Sequence, residues 1–448
     1  MKGNTLNMTQ GNPTRLLLRF AIPMLIGNIF QQLYSLADSV IVGQFLGANA
    51  LASVGATGAV TYLFFSVCNG ISAGTGVVTS QAFGAGDPAA TRKAIANAAY
   101  IMLATSLIMG VISFLAAPSV LSLMGTPAEI LPDATLYMRM SCIGLPLVAV
   151  YNYASAMLRA LGDSRTPLYF LVVSCILNIV LDIFCVYNLG MGIFGAALAT
   201  IIAQGVSGMS CLLYALRTNS YFKLTKADLQ LDWQVIGKAV RLGLPMALQW
   251  SLISISTTIQ QAFVNSFGTQ AMAAFTTTSR IEGLVHLPYG SISAALATSA
   301  GQNYGAGNIK RVRESLKHGL ALAGAFTAVV MVVYLSFAEG IISLFVKEAE
   351  VIALGSRALR LTSWFYVFLA VIYMCRGILN GVGDALFAFI NGVVEIIARV
   401  GALVVLTSIP AVGMWSVWWT TGITWFLSAV TCLLRYLAWR RRTPSRAG

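Results

Sequence analysis

Four carboxylates lie inside long apolar runs of this sequence: Asp38, Asp182, Glu282 and Glu395. A carboxylate near the centre of a bilayer costs about 2.5 to 3.5 kcal/mol on insertion scales, so each of the four needs a partner or a task. Acids in such places relay protons, coordinate cations or neutralise a nearby arginine. The chemistry that these residues suggest is therefore ion binding within a membrane.

Two of these acids lie on polar stripes of predicted helices. Asn178 precedes Asp182 by four residues, which places both side chains on one helix face. Gln31, Tyr34 and Asp38 follow one another at spacings of three and four and form a second stripe. We predict that Asp38 and Asp182 bind the coupling cation, and that Gln31 and Tyr34 line a substrate cavity.

The same two acids are expected at a similar depth. Counted from Arg19 and Pro167 at about 1.5 Å per residue, Asp38 and Asp182 reach roughly 28 and 22 Å above the cytoplasmic side. Two nearby carboxylates repel each other when both are ionised, so the pair can take up a proton outside and release it inside. A merely structural role, in which each acid pairs with a neighbouring donor, is the alternative.

Sodium is the other candidate ion for this place. The oxygens of Asp38, Asn178 and Asp182, together with the hydroxyl of Thr200, are ligands that a hard cation accepts. The sequence therefore leaves the choice between H+ and Na+ open, and it indicates no other metal.

Arginines accompany the remaining two acids. Glu395 precedes Arg399 by four residues, and Glu282 follows Arg280 by two. Structural ion pairs are the favoured interpretation for both, since opposite charges at this spacing neutralise each other. A role of Glu282 in the substrate cavity is the alternative.

The elements that must position these residues are membrane-spanning helices. Of the 448 residues, 57% are hydrophobic and 10% are charged, and the mean hydropathy is +0.78, far from the values of soluble chains. The apolar runs suit a bilayer core. Twelve spans are predicted, near 16–43, 52–79, 94–116, 135–158, 167–187, 193–216, 236–264, 272–298, 316–337, 358–380, 386–408 and 413–437.

Basic residues lie on one side of these spans. The net charge of +13 comes from Lys and Arg in alternate short connections and near both ends of the chain, whereas the connections between them carry almost none. By the positive-inside rule, both termini are cytoplasmic and the number of spans is even. Because these charges do not cluster on one face of a domain, nucleic acid is not an expected partner.

The two halves of the chain repeat each other. The segment 81–86, QAFGAG, is answered by QNYGAG at 302–307, and the dipeptide Gly-Asp at 162–163 recurs at 383–384, both at a spacing of 221. An even number of spans per repeat predicts two six-helix lobes, 1–220 and 221–448, related by a pseudo-two-fold axis along the membrane normal. Substrate is expected between the lobes.

Two prolines occupy matching places in the first and seventh spans. Pro23 and Pro245 each free a backbone carbonyl and permit a bend. Bending of the first span would couple ion binding to the shape of the cavity, while a static kink is the equally weighted alternative.

The segments Ala37-Asp-Ser-Val-Ile-Val-Gly43, the paired 81–86 and 302–307 loops, and Leu158-Arg-Ala-Leu-Gly-Asp163 resemble the MATE family over nearly the whole chain. Asn178-Ile-Val-Leu-Asp182 is similar to its DinF-type branch. The resemblance implies a monomeric multidrug exporter of a bacterial plasma membrane. It would move amphiphilic or cationic compounds outward against H+ or Na+ by alternating access, in contact with membrane lipids. A flippase or exporter of lipid-linked or metabolite substrates is the alternative.

Enzymatic functions lack support in the sequence. There is no GxxxxGK[ST] loop for ATP, and His286 and His318 are isolated, without metal-ligand spacing. We therefore expect no catalytic residue and no cofactor besides the coupling ion.

Overall fold

The computed structural model describes residues 5–443, except for the side chains of residues 59 and 63. Within that range the fold is all-α, as the hydrophobic runs predict. The helices are α1 Pro13–Leu46, α2 Ala48–Gly84, α3 Pro88–Leu123, α4 Leu131–Ala160, α5 Arg165–Asp182, α6 Gly192–Thr218, α7 Trp233–Asn265, α8 Thr269–Gly305, α9 Ile309–Ser343, α10 Ala349–Ser363, α11 Tyr366–Gly381, α12 Ala385–Thr407 and α13 Ser416–Arg442.

Most of these helices are long and apolar enough to cross a bilayer. In the described residues, nine segments meet that standard individually, and two bent pairs bring the number to eleven. One pair is α10 with α11, at 51°, and the other consists of the two parts of α2, at 42°. The predicted span that does not meet this standard is 272–298 in α8, where Arg280, Glu282 and His286 interrupt the apolar run. The prediction of an all-α polytopic membrane protein is confirmed.

The repeated loops adopt the same structure. Gly86 and Gly307 both have positive φ, at 70° and 71°, a conformation that favours glycine. The residue that follows each glycine caps the next helix: Asp87 accepts from the Ala90 N–H at 2.9 Å, and Asn308 accepts from the Arg311 N–H at 3.2 Å. The sequence repeat is therefore a repeat of local structure.

The helices form two compact units. Within the described residues, unit 1 contains residues 5–8 and Ile22–Ala247, and unit 2 contains Thr9–Ala21 and residues 248–443. These bounds differ from the predicted lobes, 1–220 and 221–448. The difference arises because the connection after α6 and the first turns of α7 pack within unit 1, and because the first turns of α1 pack within unit 2.

Ion pairs fasten the connection between α6 and α7 to α3. Arg92 Nε lies 3.0 Å from Asp228 Oδ2, and Lys93 Nζ lies 2.6 Å from Asp232 Oδ2. Asp228 also accepts from the backbone N–H and the hydroxyl of Thr225, at 2.8 and 2.7 Å. These hydrogen bonds, with Arg92, hold the pKa of the Asp228 carboxyl below its ordinary value.

The start of α7 also packs closely against α2. A Cβ on Gly74 would lie 2.4 Å from the carbonyl oxygen of Ala239, and one on Gly70 would lie 2.6 Å from that of Gly243. Only glycine permits two helix backbones to approach so closely. The first turns of α7 therefore belong to unit 1 for a steric reason.

Candidate functional site

Asp38 and Asp182 lie side by side in unit 1. Asp38 is on α1 and Asp182 is the last residue of α5, and their carboxyl groups are within hydrogen-bonding reach of each other. Two carboxylates have no proton to donate, so a hydrogen bond between them requires that one carries a proton. Asp182 is fully buried. The Oδ1 atoms of both acids are buried without a hydrogen-bond partner among the described residues.

A chain of polar groups leads from α1 to Asp182. The Asn178 amide is placed with its nitrogen towards Asp182 because this orientation gives both amide atoms a partner. The nitrogen then donates to Asp182 Oδ2 at 2.7 Å, and the oxygen accepts from the Thr200 hydroxyl at 3.3 Å. Tyr34 Oη lies 3.3 Å from the same hydroxyl. Asp38, Asp182, Asn178, Thr200 and Tyr34 thus form one cluster, which we call the acid-pair cluster.

The backbone changes its winding directly after Asp182. Residues Ile183–Asn188 form a π-helical segment, in which the Leu189 N–H donates to the Phe184 carbonyl at 3.0 Å. Such wide turns recur at functional sites because they re-aim side chains. Buried residues from α1, α2, this segment and α6 pack together beside it: Val42, Ala50, Val186, Ile193 and Ala196.

Tyr137 is a neighbour of the cluster that sequence reasoning missed. It lies on α4, packs against that buried group, and is close enough to Tyr34, Asp38 and Asp182 to interact with them electrostatically. The spacing along α4 does not single it out. The one available signal was its position at the predicted outer end of the fourth span, the depth expected for the two acids.

Two predicted cavity residues lie outside the acid-pair cluster. Gln31 is exposed on α1, and its side chain makes no hydrogen bond with the cluster in the described part of the chain. Glu282 belongs to unit 2. Of the three predicted cavity residues, the structure therefore brings only Tyr34 to the acids.

Glu282 has different neighbours from those expected. Its carboxyl lies beside the hydroxyls of Thr362 and Tyr366, and its Oε1 is buried without a hydrogen-bond partner in the described residues. Within those residues, Glu282 and Arg280 form no ion pair, so that expectation was wrong. Residues two apart on a helix point in different directions, which prevents the contact.

Glu395 forms the expected i,i+4 ion pair and a second one. Its carboxyl oxygens lie 3.2 Å from Arg399 and 3.4 Å from Arg376, whose guanidinium also donates to Asn391 at 2.6 Å. Gln249 on α7 donates to the same Asn391 oxygen at 3.3 Å. This network is buried in unit 2, and Arg376, on α11, was not foreseen as its member.

Pro23 and Pro245 lie inside continuous helices. α1 runs on through Pro23 and α7 through Pro245. In each helix the boundary between the units falls within two residues of the proline, after Ala21 and after Ala247. The two prolines, at which a helix lacks one backbone hydrogen bond, therefore lie next to the points at which the helices pass from one unit to the other.

Comparison with known proteins agrees with this architecture. The MatE family model matches residues 23–184 and 245–403. A Bacillus subtilis protein named "Probable multidrug resistance protein YpnP" is 29% identical over 381 residues, 85% of each chain. A Shewanella oneidensis protein named "FAD transporter" is 26% identical over 88% of this chain and 86% of its own. A crystal structure described as "MATE in the bent conformation" matches with a TM-score of 0.89 at 26% identity, covering 99% of this chain and 98% of that one.

The fold and these matches define a multi-pass membrane transporter, not an enzyme. The chain belongs to the MatE family.

Proposed function

We propose that this protein is a secondary active multidrug exporter that moves amphiphilic, cationic compounds outward in exchange for protons moving inward. The observation that carries the proposal is the acid-pair cluster, in which two carboxyl groups lie within hydrogen-bonding reach and one of them is fully buried. A pair of this kind alternates between a form that holds a proton and a form that carries a second negative charge. That alternation is what coupling to a proton gradient requires.

The cluster supplies a route from protonation to movement. When the pair gives up its proton, the buried charge must be stabilised, and Asn178 already donates to Asp182 at 2.7 Å. The charged pair favours a cationic compound nearby, and a proton arriving from outside removes that attraction. The hydrogen bonds through Thr200 and Tyr34 pass the change to α1. Pro23 on α1 and Pro245 on α7 would let these helices bend during alternating access.

Sodium is the alternative coupling ion. The unpartnered Oδ1 atoms of Asp38 and Asp182, with the oxygens of Asn178 and Thr200, are of the type that a hard cation binds. The direct approach of the two carboxyl groups favours the proton, because a proton between them removes their mutual repulsion.

The remaining parts of the proposal follow from the sequence. The basic connections support a plasma-membrane protein of a bacterium with both termini in the cytoplasm. The motif from Asn178 to Asp182 supports the DinF-type branch. We expect the exporter to act as a monomer in contact with membrane lipids.

An exporter of lipid-linked or metabolite substrates is the second candidate. The observation that favours it is the relative named "FAD transporter", which aligns over most of both chains. Such a substrate is anionic. It would therefore not compete with a proton for binding to the negatively charged acid pair. This candidate predicts no resistance to cationic drugs.

The test is efflux of ethidium from a pump-deficient bacterial strain that expresses this chain. The proton and sodium gradients are collapsed separately. We expect efflux to stop when only the proton gradient is collapsed. If efflux stops only when the sodium gradient is collapsed, the coupling ion is Na+. No efflux of ethidium or norfloxacin under any condition would reject the multidrug proposal and favour the second candidate.

A further inference from the structure

A cavity in unit 2 has no part in the mechanism proposed above. Its volume is about 320 Å³, and it lies where the ends of α8 and α13 meet the turn between α11 and α12. That volume corresponds to about ten water molecules and is near the lower end of the range for small-ligand sites, roughly 300 to 1,000 Å³. Residues that line it include Tyr304, Gly383, Asp384, Arg435, Trp439 and Arg442.

The equivalent place in unit 1 is filled by the chain itself. Leu161 and Gly162 correspond, at the spacing of 221, to Val382 and Gly383 of the cavity. The N–H of Leu6 donates to the Leu161 carbonyl at 3.2 Å, and a Cβ on Gly162 would lie only 2.1 Å from the Leu6 carbonyl oxygen. The residues before α1 therefore seal the turn in unit 1.

The side chains around the two turns also differ. In unit 1, Phe83 and Tyr221 close the space with an edge-to-face contact whose ring centroids are 5.3 Å apart. Their counterparts in unit 2 are Tyr304 and Arg442. An aromatic pair is thus replaced by a phenol and a guanidinium at the edge of an open space.

A second arginine of unit 2 also replaces a tyrosine. Arg435 stands where unit 1 has Tyr214, and it binds Asp384 through two contacts, Nε to Oδ2 at 2.7 Å and Nη2 to Oδ1 at 3.0 Å. These contacts occupy two of its five N–H donors. Arg442 forms no ion pair or hydrogen bond with the residues that the structure describes. The cavity lining therefore carries an excess positive charge and unused N–H donors.

The rim of the cavity is held in place from α9. Arg313 donates through Nη2 to the carbonyl oxygens of Arg440 and Thr443, at 3.0 and 2.6 Å. The last turn of α13, which carries Arg442, is thereby fixed beside the cavity. A basic site of defined geometry results, rather than a loose run of arginines.

We propose that this cavity binds the phosphate group of an anionic phospholipid. Guanidinium groups match the oxygens of a phosphate in charge and geometry. The cavity lies at the end of a membrane-spanning helix, where Trp439 precedes three successive arginines, as is typical of a helix end at the lipid headgroups. Basic pockets between helices on this side of a membrane suit anionic headgroups, and the acyl chains keep the ligand in the bilayer.

The experiment measures lipid binding to the purified full-length protein. Native mass spectrometry and thermal stability are recorded with phosphatidylglycerol and, for comparison, with phosphatidylcholine of the same acyl chains. Arg442→Gln is expected to weaken phosphatidylglycerol binding about tenfold, since it removes one charge-assisted contact. The matched control is Arg441→Gln, the same charge change one residue away on the same turn but outside the cavity lining, which should leave binding within about twofold.

Two results would overturn the proposal. Equal weakening by Arg442→Gln and Arg441→Gln would mean that lipid follows the diffuse charge of the helix end and not the cavity. Displacement of phosphatidylglycerol by millimolar inorganic phosphate would assign the cavity to a soluble anion. Specific loss in Arg442→Gln, without competition by phosphate, would support the site independently of any transport activity.

Discussion

Replacing the acids of the acid-pair cluster by amides tests the coupling mechanism most directly. Asp38→Asn and Asp182→Asn each keep the size of the side chain and remove one proton-binding group. In the structure the two carboxyl groups lie within hydrogen-bonding reach of each other, so either change leaves a single acid that has no carboxyl partner. We expect each variant to insert and fold normally and to lose gradient-driven export.

The magnitudes follow from the contacts of Asp182. An asparagine at 182 keeps an oxygen for the Asn178 donor, now 2.7 Å away, but a bond to a neutral acceptor is weaker by about 1 to 1.5 kcal/mol. A pair that shares one proton and the single acid left by the substitution carry the same negative charge, so the cost of an intramembrane charge does not change. The net change in folding stability therefore stays within about 2 kcal/mol. The effect on transport is separate from this: exchange of one proton for one singly charged cation moves no net charge, so each pH unit across the membrane supplies about 1.4 kcal/mol and supports a concentration ratio of about 10.

The assay uses proteoliposomes with an imposed proton gradient and ethidium as the probe. The unmodified protein should build up a ratio approaching that value, whereas both variants should only equilibrate the compound. Asp133→Asn, an exposed acid in the first turn of α4, is the matched control and should transport normally. Normal gradient-driven accumulation by both Asp38→Asn and Asp182→Asn would refute the proton-site assignment.

Other predictions concern ion pairs and helix packing elsewhere in the fold. Glu395→Gln should destabilise the protein by about 3 kcal/mol, because it leaves the buried Arg399 and the largely buried Arg376 without their counter-charge; an unchanged melting temperature with lost transport would instead assign Glu395 a transport role. Asp228 has a pKa lowered first by its hydrogen bonds from Thr225 and also by Arg92, so its contribution to stability is present above the pKa of the unfolded chain and is lost as the pH falls through the folded value. Melting temperatures measured between pH 7 and pH 3 should therefore fall less steeply for Asp228→Asn, and identical slopes would contradict this. Gly74→Val should prevent folding or shift α7, since its Cβ would meet backbone 2.4 Å away, and an unchanged yield of folded protein on size-exclusion chromatography would argue against that packing.

The acids of the candidate site could be picked out from the sequence because charge is costly in a membrane. Asp38 and Asp182 are charged residues within apolar runs. A spacing of four residues placed Asn178 on the same helix face as Asp182, and Tyr34 on the same face as Asp38. The prediction of an ion pair between Glu282 and Arg280 was wrong, because residues two apart on a helix do not face each other. Arg376 and Tyr137 escaped notice because each meets its partners from another helix, and no spacing along the chain records that contact.

The sequence by itself determined the class of this protein. It predicted helices that cross a membrane, a repeat at a spacing of 221 residues, and two acids at a similar depth inside spans of the first repeat. These features are local or periodic, so hydropathy and spacing reveal them. Only the tertiary structure decided that Asp38 touches Asp182, and that the ends of α1 and α7 pack in the other unit from the rest of each helix. It also decided that the turn sealed by Leu6 in unit 1 is an open basic cavity in unit 2. Each of these depends on contacts between residues far apart in the chain, which form only when the helices pack.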